Sequence, residues 1–220
     1  MLQKEVFLKG EGDKYLARNK KVLGNKSEVD ELYSVYSKYI SENMKVLEIG
    51  CCNGHNLNYY NQNTGCWVYG IDPSEEAITL GQDLYPDVRL SVGTADELDF
   101  PDEYFDCVIF GFCLYLVDRK LLTKAIAEAD RVLKNGGYIG ITDFDCSIPK
   151  KRPYKHYEGI YSYKYDYSKI FLSFPQYSLI EKTNRTAEDA AFMIDSTQRV
   201  STVVLYKNQE QAYYYESDEI

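Results

Sequence analysis

The sequence predicts an α/β fold: a doubly wound, mostly parallel seven-stranded sheet with helices on both faces and an antiparallel last strand. Two observations lead to this prediction. Short apolar runs alternate regularly with longer helical segments from residue 45 to residue 144, which is typical of strands and crossover helices in a parallel sheet. In addition, a turn containing Gly50 and Gly54 follows the first apolar run and leads into a polar helix, where open α/β sheets hold nucleotide-type ligands.

Each element of this fold is predicted by its own local pattern. The seven strands are expected at 46–49, 66–71, 88–92, 105–110, 138–144, 178–183 and 199–206. The helices are expected at 55–63, 74–85, 118–133 and 167–174, with an earlier one that begins at an N-cap on Ser27. The helix over 118–133 has the clearest amphipathic spacing, and Asn135-Gly136-Gly137 closes it.

Three regions are predicted along the chain. Residues 1–40 form an N-terminal lid or helical extension, in which 1–27 reads as a flap with short helical pieces because glycines interrupt it. Residues 41–208 form the main domain, with an insertion on the acceptor side at about 146–175. Residues 209–220 form an acidic tail.

Composition limits the classes of partner and compartment. The 220 residues carry a net charge of −9, which repels phosphate backbones, so we expect no nucleic-acid partner. No apolar segment is long enough to cross a bilayer, so no membrane association is expected. The six cysteines include no CxxC pair, which favours reduced thiols, a cytoplasmic location and no metal site.

The glycine turn discriminates between cofactors. A nicotinamide site needs G-x-G-x-x-G, but from Gly50 the second and third glycine positions hold Cys52 and His55. The stretch Glu48 to Gly54, EIGCCNG, instead resembles the first motif of the class I S-adenosylmethionine-dependent methyltransferases, with Cys52 in place of the middle glycine. A non-catalytic binding or scaffold protein on the same fold is the alternative, which the replaced motif residues favour.

The resemblance to this family covers about residues 40–145 and implies S-adenosylmethionine as cofactor. Asp72 ends the second strand, as the family's ribose-binding acid does, and a carboxylate there can accept both ribose hydroxyls. Gly93-Thr94-Ala95-Asp96 matches the adenine loop, although Thr94 stands where an Asp is expected. The stretches 98–110 and 131–141 match later motifs. The resemblance thus implies cofactor contacts from Glu48, Gly50, Cys51, Cys52, Gly54, Asp72, Pro73, Thr94, Ala95, Asp96, Phe110 and Gly111.

The family's reaction is an in-line methyl transfer, for which a hydroxyl or amine acceptor can require a base within hydrogen-bond reach. The candidates are Tyr115 after the fourth strand, Asp143 and Asp145 at the end of the fifth, and His156. Core packing of Tyr115, capping by the aspartates and a solvated loop for His156 are equally open interpretations. His55 is expected only near the cofactor.

The acceptor is predicted to be a small molecule, with a hydroxyl or amine of a sugar or similar metabolite favoured. The stretch 10–19 resembles the N-terminal segment of methyltransferases associated with bacterial surface-sugar biosynthesis. The tyrosine-rich segment 153–167 is suited to stacking on a sugar or ring. A homodimer interface and a packed lid are the alternatives for that segment.

Overall fold

The computed structural model describes residues 2–23, 31–185 and 198–213. Nine strands are found there, numbered in chain order: β1 Lys45–Ile49, β2 Trp67–Asp72, β3 Arg89–Val92, β4 Phe105–Gly111, β5 Leu133–Phe144, β6 Lys150–Pro153, β7 Tyr161–Lys164, β8 Tyr177–Arg185 and β9 Val200–Lys207. Seven of them form one sheet in the order β3-β2-β1-β4-β5-β9-β8, and β6 with β7 forms a separate hairpin.

The sheet is mixed in the way the sequence predicts. Strands β1 to β5 run parallel to one another, while β9 is antiparallel to both β5 and β8. The strand order reverses between β1 and β4, so the carboxyl ends of these two strands border a crevice. The predicted fold class, with its antiparallel last strand, is therefore confirmed.

Helices cover both faces of the sheet. The α-helices of the described residues are α1 Gln3–Val6, α2 Gly12–Leu23, α3 Glu31–Ser34, α4 His55–Thr64, α5 Glu75–Leu84, α6 Leu122–Val132 and α7 Ser168–Phe171. A π-helix spans Phe7–Glu11, and 3₁₀ turns span Val35–Lys38 and Leu114–Leu116. Across these ranges, no helix combines the length and apolar character that crossing a bilayer requires.

Alternation along the central strands explains the two-sided core. In β1, Val46 packs into the cluster with Leu57 of α4, whereas Leu47 packs into the cluster with Ala125 of α6. Because successive side chains of a strand point to opposite faces, an apolar strand of this kind must be covered on both sides. The central strands therefore hold their carboxyl ends in fixed positions.

The boundary between α6 and β5 differs from the sequence prediction. Helix α6 ends at Val132 and β5 begins at Leu133, five residues before the predicted start. Leu133 is fully buried and pairs with Phe105. A register irregularity then follows before Tyr138 pairs with Cys107. The glycines at 136 and 137 thus lie in an irregular stretch of the strand, rather than in a loop that closes the helix.

The N-terminal extension consists of short helical pieces, as the glycines predict, whereas the insertion is more ordered than predicted. Residues 3–23 form two helical pieces that meet at a kink at Gly10, whose φ of +118° and ψ of 0° are not helical, and Gly12 begins the second piece, α2. The insertion contains the β6–β7 hairpin, whose strands no local pattern predicts, and its helix is reduced to α7. The Ser27 cap and residues 214–220 of the predicted tail lie outside the described residues.

The first helical residues, 2–23, pack against the hairpin, and we call residues 2–23 the roof. Gln3 donates from Nε2 to the Leu116 carbonyl at 2.7 Å and accepts at Oε1 from the Tyr161 amide at 2.9 Å. Phe7 packs against Tyr154 with ring centroids 5.9 Å apart. Of the three interpretations of segment 153–167, the structure therefore matches the packed lid for these tyrosines.

Candidate cofactor and active site

The turn after β1 passes very close to the end of β4. Gly50 has φ +79°, and a Cβ at this position would lie 2.7 Å from Cys113 Cβ. The Gly50 and Cys51 amides both donate to the Ile71 carbonyl of β2, at 2.8 and 3.1 Å. Only glycine meets both the backbone angle and the close approach, so Gly50 brings the ends of three strands together.

Cys52 takes over the conformation of the missing glycine. Its φ is +51°, in the left-handed region that side chains rarely adopt. Its backbone amide donates to Asp72 Oδ2 at 2.9 Å, which ties the turn to the end of β2. The replacement of the middle glycine therefore leaves the turn intact, at the expense of some backbone strain.

A cavity of about 350 Å³ opens at the carboxyl ends of β1, β2 and β4. Ten of the twelve predicted cofactor residues line it, namely Glu48, Gly50, Cys51, Cys52, Asp72, Pro73, Thr94, Ala95, Asp96 and Gly111. The remaining two lie behind its wall. Phe110 is fully buried in the core, and a Cβ on Gly54 would meet Leu90 of β3 at 2.9 Å, so Gly54 serves the packing of α4.

Glu48 is a buried carboxyl with one unpaired oxygen. Its side chain is 1% exposed, and Asn56 Nδ2 donates to Oε1 at 3.2 Å. Among the described residues, Oε2 has no hydrogen-bond partner. Burial, with a smaller contribution from the charge of Asp72, raises the pKa of Glu48 to about 8, against the opposing bond from Asn56.

Asp72 is held by two backbone amides at the end of β2. Oδ2 accepts from Cys52 and Oδ1 accepts from Ser74, both at 2.9 Å. Burial raises the pKa of Asp72 to about 6, and these two bonds limit the rise. Since each oxygen retains a second lone pair, both can still accept hydrogen bonds from a ligand.

At the far end of the cavity, Asp96 forms an ion pair with the roof. Lys4 Nζ lies 2.7 Å from Asp96 Oδ2, and Lys124 Nζ lies 3.9 Å away. Burial opposes the ionisation of Asp96, but hydrogen bonds from Lys4 and Thr94 outweigh it and lower its pKa. Asp96 is therefore ionised, and Lys4 connects it to the N-terminal residues.

Comparison with known proteins identifies the central segment. Residues 47–141 match a family model described as a methyltransferase domain. The chain is 32% identical over 104 residues to an uncharacterized methyltransferase of Synechocystis, covering 47% of this chain and 49% of that protein. It is 36% identical over 83 residues to the ubiquinone/menaquinone biosynthesis C-methyltransferase of Vibrio cholerae, covering 35% of this chain and 31% of that protein. Residues 47–141 of this chain are therefore similar to a methyltransferase domain.

The related proteins share different portions of their length with this chain. The chain spans about half or less of the length of these curated relatives. A solved structure of the 1,6-didemethyltoxoflavin-N1-methyltransferase of Burkholderia thailandensis, with S-adenosylhomocysteine bound, superposes with a TM-score of 0.70 at 16% identity. The superposition covers 93% of this chain and 88% of the Burkholderia chain. At this identity the superposition supports the fold of the domain.

The residues of the methyltransferase domain fit S-adenosylmethionine, the cofactor of the family. The deciding observation is Glu48 Oε2, a buried acceptor in the cavity wall that has no donor among the described residues. An ammonium group is a donor of the required kind, and it would also favour the ionised carboxyl. Asp72 and Asp96 offer further carboxylate acceptors along the same cavity.

The structure brings two of the four predicted bases together and places the other two elsewhere. Tyr115 and Asp143 are neighbours, since the Tyr115 amide donates to Asp143 Oδ2 at 3.2 Å, and both are buried behind the cavity wall. Burial raises the pKa of Asp143 to about 7. Asp145 pairs with Lys182 and Arg199, at 2.9 and 2.8 Å.

His156 lies elsewhere, exposed between β6 and β7, with its ring 5.3 Å from that of Tyr154. It is absent from the cavity lining formed by the described residues. The hypothesis of a base at His156 therefore has no geometric support, and Tyr115 and Asp143 remain predictions that would have to act from behind the wall.

Several lining residues were missed by the sequence analysis. The roof contributes Lys4, Phe7 and Tyr15, and the turn after β1 contributes Asn53, whose buried Oδ1 has no partner among the described residues. The prediction that the N-terminal residues form a lid was the available signal, but no local pattern showed which side chains turn inward. That selection depends on the helical phase of residues 3–23, which the glycines obscured.

Proposed function

We propose that this protein transfers a methyl group from S-adenosylmethionine to a hydroxyl or amine of a small-molecule acceptor, such as a sugar or similar metabolite. The observation that carries the proposal is the unpaired, buried Oε2 of Glu48 in a cavity that Asp72 and Asp96 also line. Three carboxylates along one cavity match the three polar parts of this cofactor: its ammonium group, its ribose and its adenine amine.

Each carboxylate has a distinct task in this proposal. Glu48 binds the ammonium group, and Asp72 accepts hydrogen bonds from the ribose hydroxyls while the two backbone amides hold it in place. Asp96 binds at the adenine end, where Lys4 now pairs with it. The sulfonium of the bound cofactor supplies an electrophilic methyl group, so the chain's main tasks are alignment and exclusion of water.

Water is excluded by the apolar part of the cavity wall. Phe7 and Tyr15 of the roof, Phe112 after β4, and Leu116 and Val117 beyond it line the same cavity. An aromatic and aliphatic wall of this kind suits a ring-shaped acceptor, which it would orient by contact. The relatives whose names state an acceptor methylate carbon in one case and nitrogen in another, so they support methyl transfer without selecting the acceptor atom.

The proposal is tested by isothermal titration of S-adenosylhomocysteine into the wild type and two variants. Asp72→Asn should weaken binding about tenfold or more, because a hydrogen bond to a charged group contributes about 1.5–3 kcal/mol. Asp87→Asn removes one negative charge at an exposed position, so it should leave the affinity unchanged. Absence of binding by the wild type at millimolar ligand would refute the proposal.

A second measurement separates an enzyme from a non-catalytic binder. The protein is incubated with methyl-labelled cofactor and a protein-free extract of small molecules. Transfer of label into a small-molecule product supports the enzyme. Tight binding of S-adenosylhomocysteine without transfer to any component would instead support a binding or scaffold role on this fold.

A further inference from the structure

The acidic character of the cavity leaves one polar part of the proposed cofactor unassigned. The ammonium group, the ribose hydroxyls and the adenine amine of that cofactor are donors, and Glu48, Asp72 and Asp96 line the cavity as acceptors. Its fourth polar part is a carboxylate, which only accepts hydrogen bonds when it is ionised. This carboxylate therefore needs a donor, which three carboxylates of the protein cannot supply.

The charged and backbone donors nearest to this need are already engaged. Lys4 is the sole lysine or arginine among the described residues that line the cavity, and it pairs with Asp96 at 2.7 Å. In the glycine turn, the amides of Gly50, Cys51 and Cys52 all donate within the protein. A carboxylate in this cavity therefore needs a further donor among the side chains of the wall.

Tyr15 differs from other polar side chains of the wall. Ser74 Oγ donates to Asp13 at 2.7 Å, and Asn56 Nδ2 donates to Glu48 at 3.2 Å. The hydroxyl of Tyr15, in contrast, makes no hydrogen bond to any residue that the structure describes. Tyr15 is half-buried and lines the cavity, so its hydroxyl is a donor that a ligand can use.

Helix α2 carries Tyr15 and is anchored next to the end of β2. Asp13 Oδ1 accepts from Ser74 Oγ at 2.7 Å and from the Glu76 amide at 3.2 Å. The Ser74 amide also donates to Asp72 Oδ1 at 2.9 Å. Tyr15 follows Asp13 by two residues, so these contacts fix its position relative to Asp72.

The hydroxyl of Tyr15 lies on the same side of the cavity as the glycine turn. Its pKa is raised to about 12, first by burial and then by the neighbouring groups of Cys52, Tyr154 and Asp72. Of these three, Cys52 and Asp72 line the cavity themselves. A phenol with this pKa keeps its proton at neutral pH, so it can donate to an anion.

We propose that the Tyr15 hydroxyl donates a hydrogen bond to the carboxylate of the amino-acid group of S-adenosylmethionine. This inference rests on the proposed function, because it concerns the same cofactor. It adds a contact from the roof, which lies outside the residues 47–141 that match the methyltransferase family. Tyr15 is a positioning residue here, since the bond orients the cofactor's amino-acid group.

The test combines a variant with a ligand that lacks the carboxylate. Decarboxylated S-adenosylhomocysteine keeps the ammonium group, the ribose and the adenine. This ligand and S-adenosylhomocysteine are titrated separately into the wild type and into Tyr15→Phe, which removes only the hydroxyl. Tyr15→Phe should bind S-adenosylhomocysteine about tenfold or more weakly, because a hydrogen bond to a charged group is lost. Its affinity for the decarboxylated ligand should stay within about twofold of the wild type.

The matched control is Tyr213→Phe, which removes the same hydroxyl at a position that is 76% exposed. It should bind both ligands like the wild type. Retained binding of the decarboxylated ligand by Tyr15→Phe also shows that this variant is folded and that its nucleoside contacts are intact.

Two results would overturn the inference. One is equal weakening of both ligands in Tyr15→Phe, which would reveal a contact with the nucleoside or a merely structural role. The other is an unchanged affinity of Tyr15→Phe for S-adenosylhomocysteine. In both cases the wild type still binds S-adenosylhomocysteine, whereas failure of the proposed cofactor site would leave the wild type without binding of either ligand. The two failures are therefore distinguishable.

Discussion

The protonation of Glu48 should make cofactor affinity depend on pH. With a pKa of about 8, this carboxyl holds a proton in the ligand-free protein at neutral pH. The proposed partner of its unpaired Oε2 is an ammonium group, which binds the ionised form. Binding must therefore release the proton, and each pH unit below the pKa costs about 1.4 kcal/mol of binding free energy.

The size of this pH dependence follows from the pKa of Glu48. Between about pH 6 and pH 8, affinity for S-adenosylhomocysteine should rise about tenfold per pH unit and then level off. At pH 7, about 0.9 proton should be released per ligand bound, by the same linkage. Asp72, with a pKa of about 6, adds a slope only at lower pH. The window above pH 6 is therefore governed by Glu48.

The assay is isothermal titration from pH 6 to pH 8 in two buffers with different ionisation enthalpies, which gives the affinity and the number of protons released. Glu48→Gln should bind more weakly at pH 8 and show no slope. 5′-Methylthioadenosine, which lacks the amino-acid group, should bind the wild type without a slope. A pH-independent affinity in the wild type, or the same slope in Glu48→Gln, would refute the reasoning.

Two further predictions concern stability. Asp143 has a pKa raised to about 7, so the folded state holds its proton more tightly than the unfolded state. The free energy of unfolding should therefore fall by about 1.4 kcal/mol per pH unit between pH 5 and pH 7, and this contribution is lost as pH rises through 7. Denaturant unfolding of Asp143→Asn should lack this fall. A difference in free energy of unfolding between Asp143→Asn and the wild type that stays constant with pH would contradict the prediction. Gly159→Ala places a side chain at a positive φ without crowding, and it should lower the free energy of unfolding by about 1–2 kcal/mol. Gly50→Ala also meets Cys113, so it should destabilise the protein more and abolish S-adenosylhomocysteine binding. Equal melting temperatures of the two variants would count against the close approach at Gly50.

The strands of the sheet and most residues of the cavity wall could be predicted from the sequence, because their signals lie in short local stretches of it. A parallel strand buried on both faces must be a continuous apolar run, as in β1 and β4, and its polar end then marks the crevice. The resemblance to the methyltransferase motifs implied Glu48, Asp72 and Asp96, and each of them lies at or near the end of a predicted strand. Cys52 could also be placed, although only the structure shows that it adopts the left-handed conformation.

The roof could not be predicted, because its conformation depends on distant contacts. Gly10 interrupts the helix at a kink, as its local propensity indicates, whereas Gly12 lies at the start of α2 and packs on Ser74 through a contact that local spacing does not show. Neither the inward direction of Lys4 nor the burial of Glu11 follows from local spacing. For the candidate bases, position at a strand end does not say whether a side chain faces the crevice, and the Asp143 side chain faces the interior.

The contacts of Gln3 also impose an order of assembly during synthesis. Its amide group bonds to residues 113 and 158 positions further along the chain. The roof leaves the ribosome before β7 does, so it cannot dock until β7 has emerged. Until then Val6 and Phe7, which pack against Ile160 in the finished protein, remain without their partner. The roof therefore precedes the hairpin along the chain but docks only after the hairpin has been made.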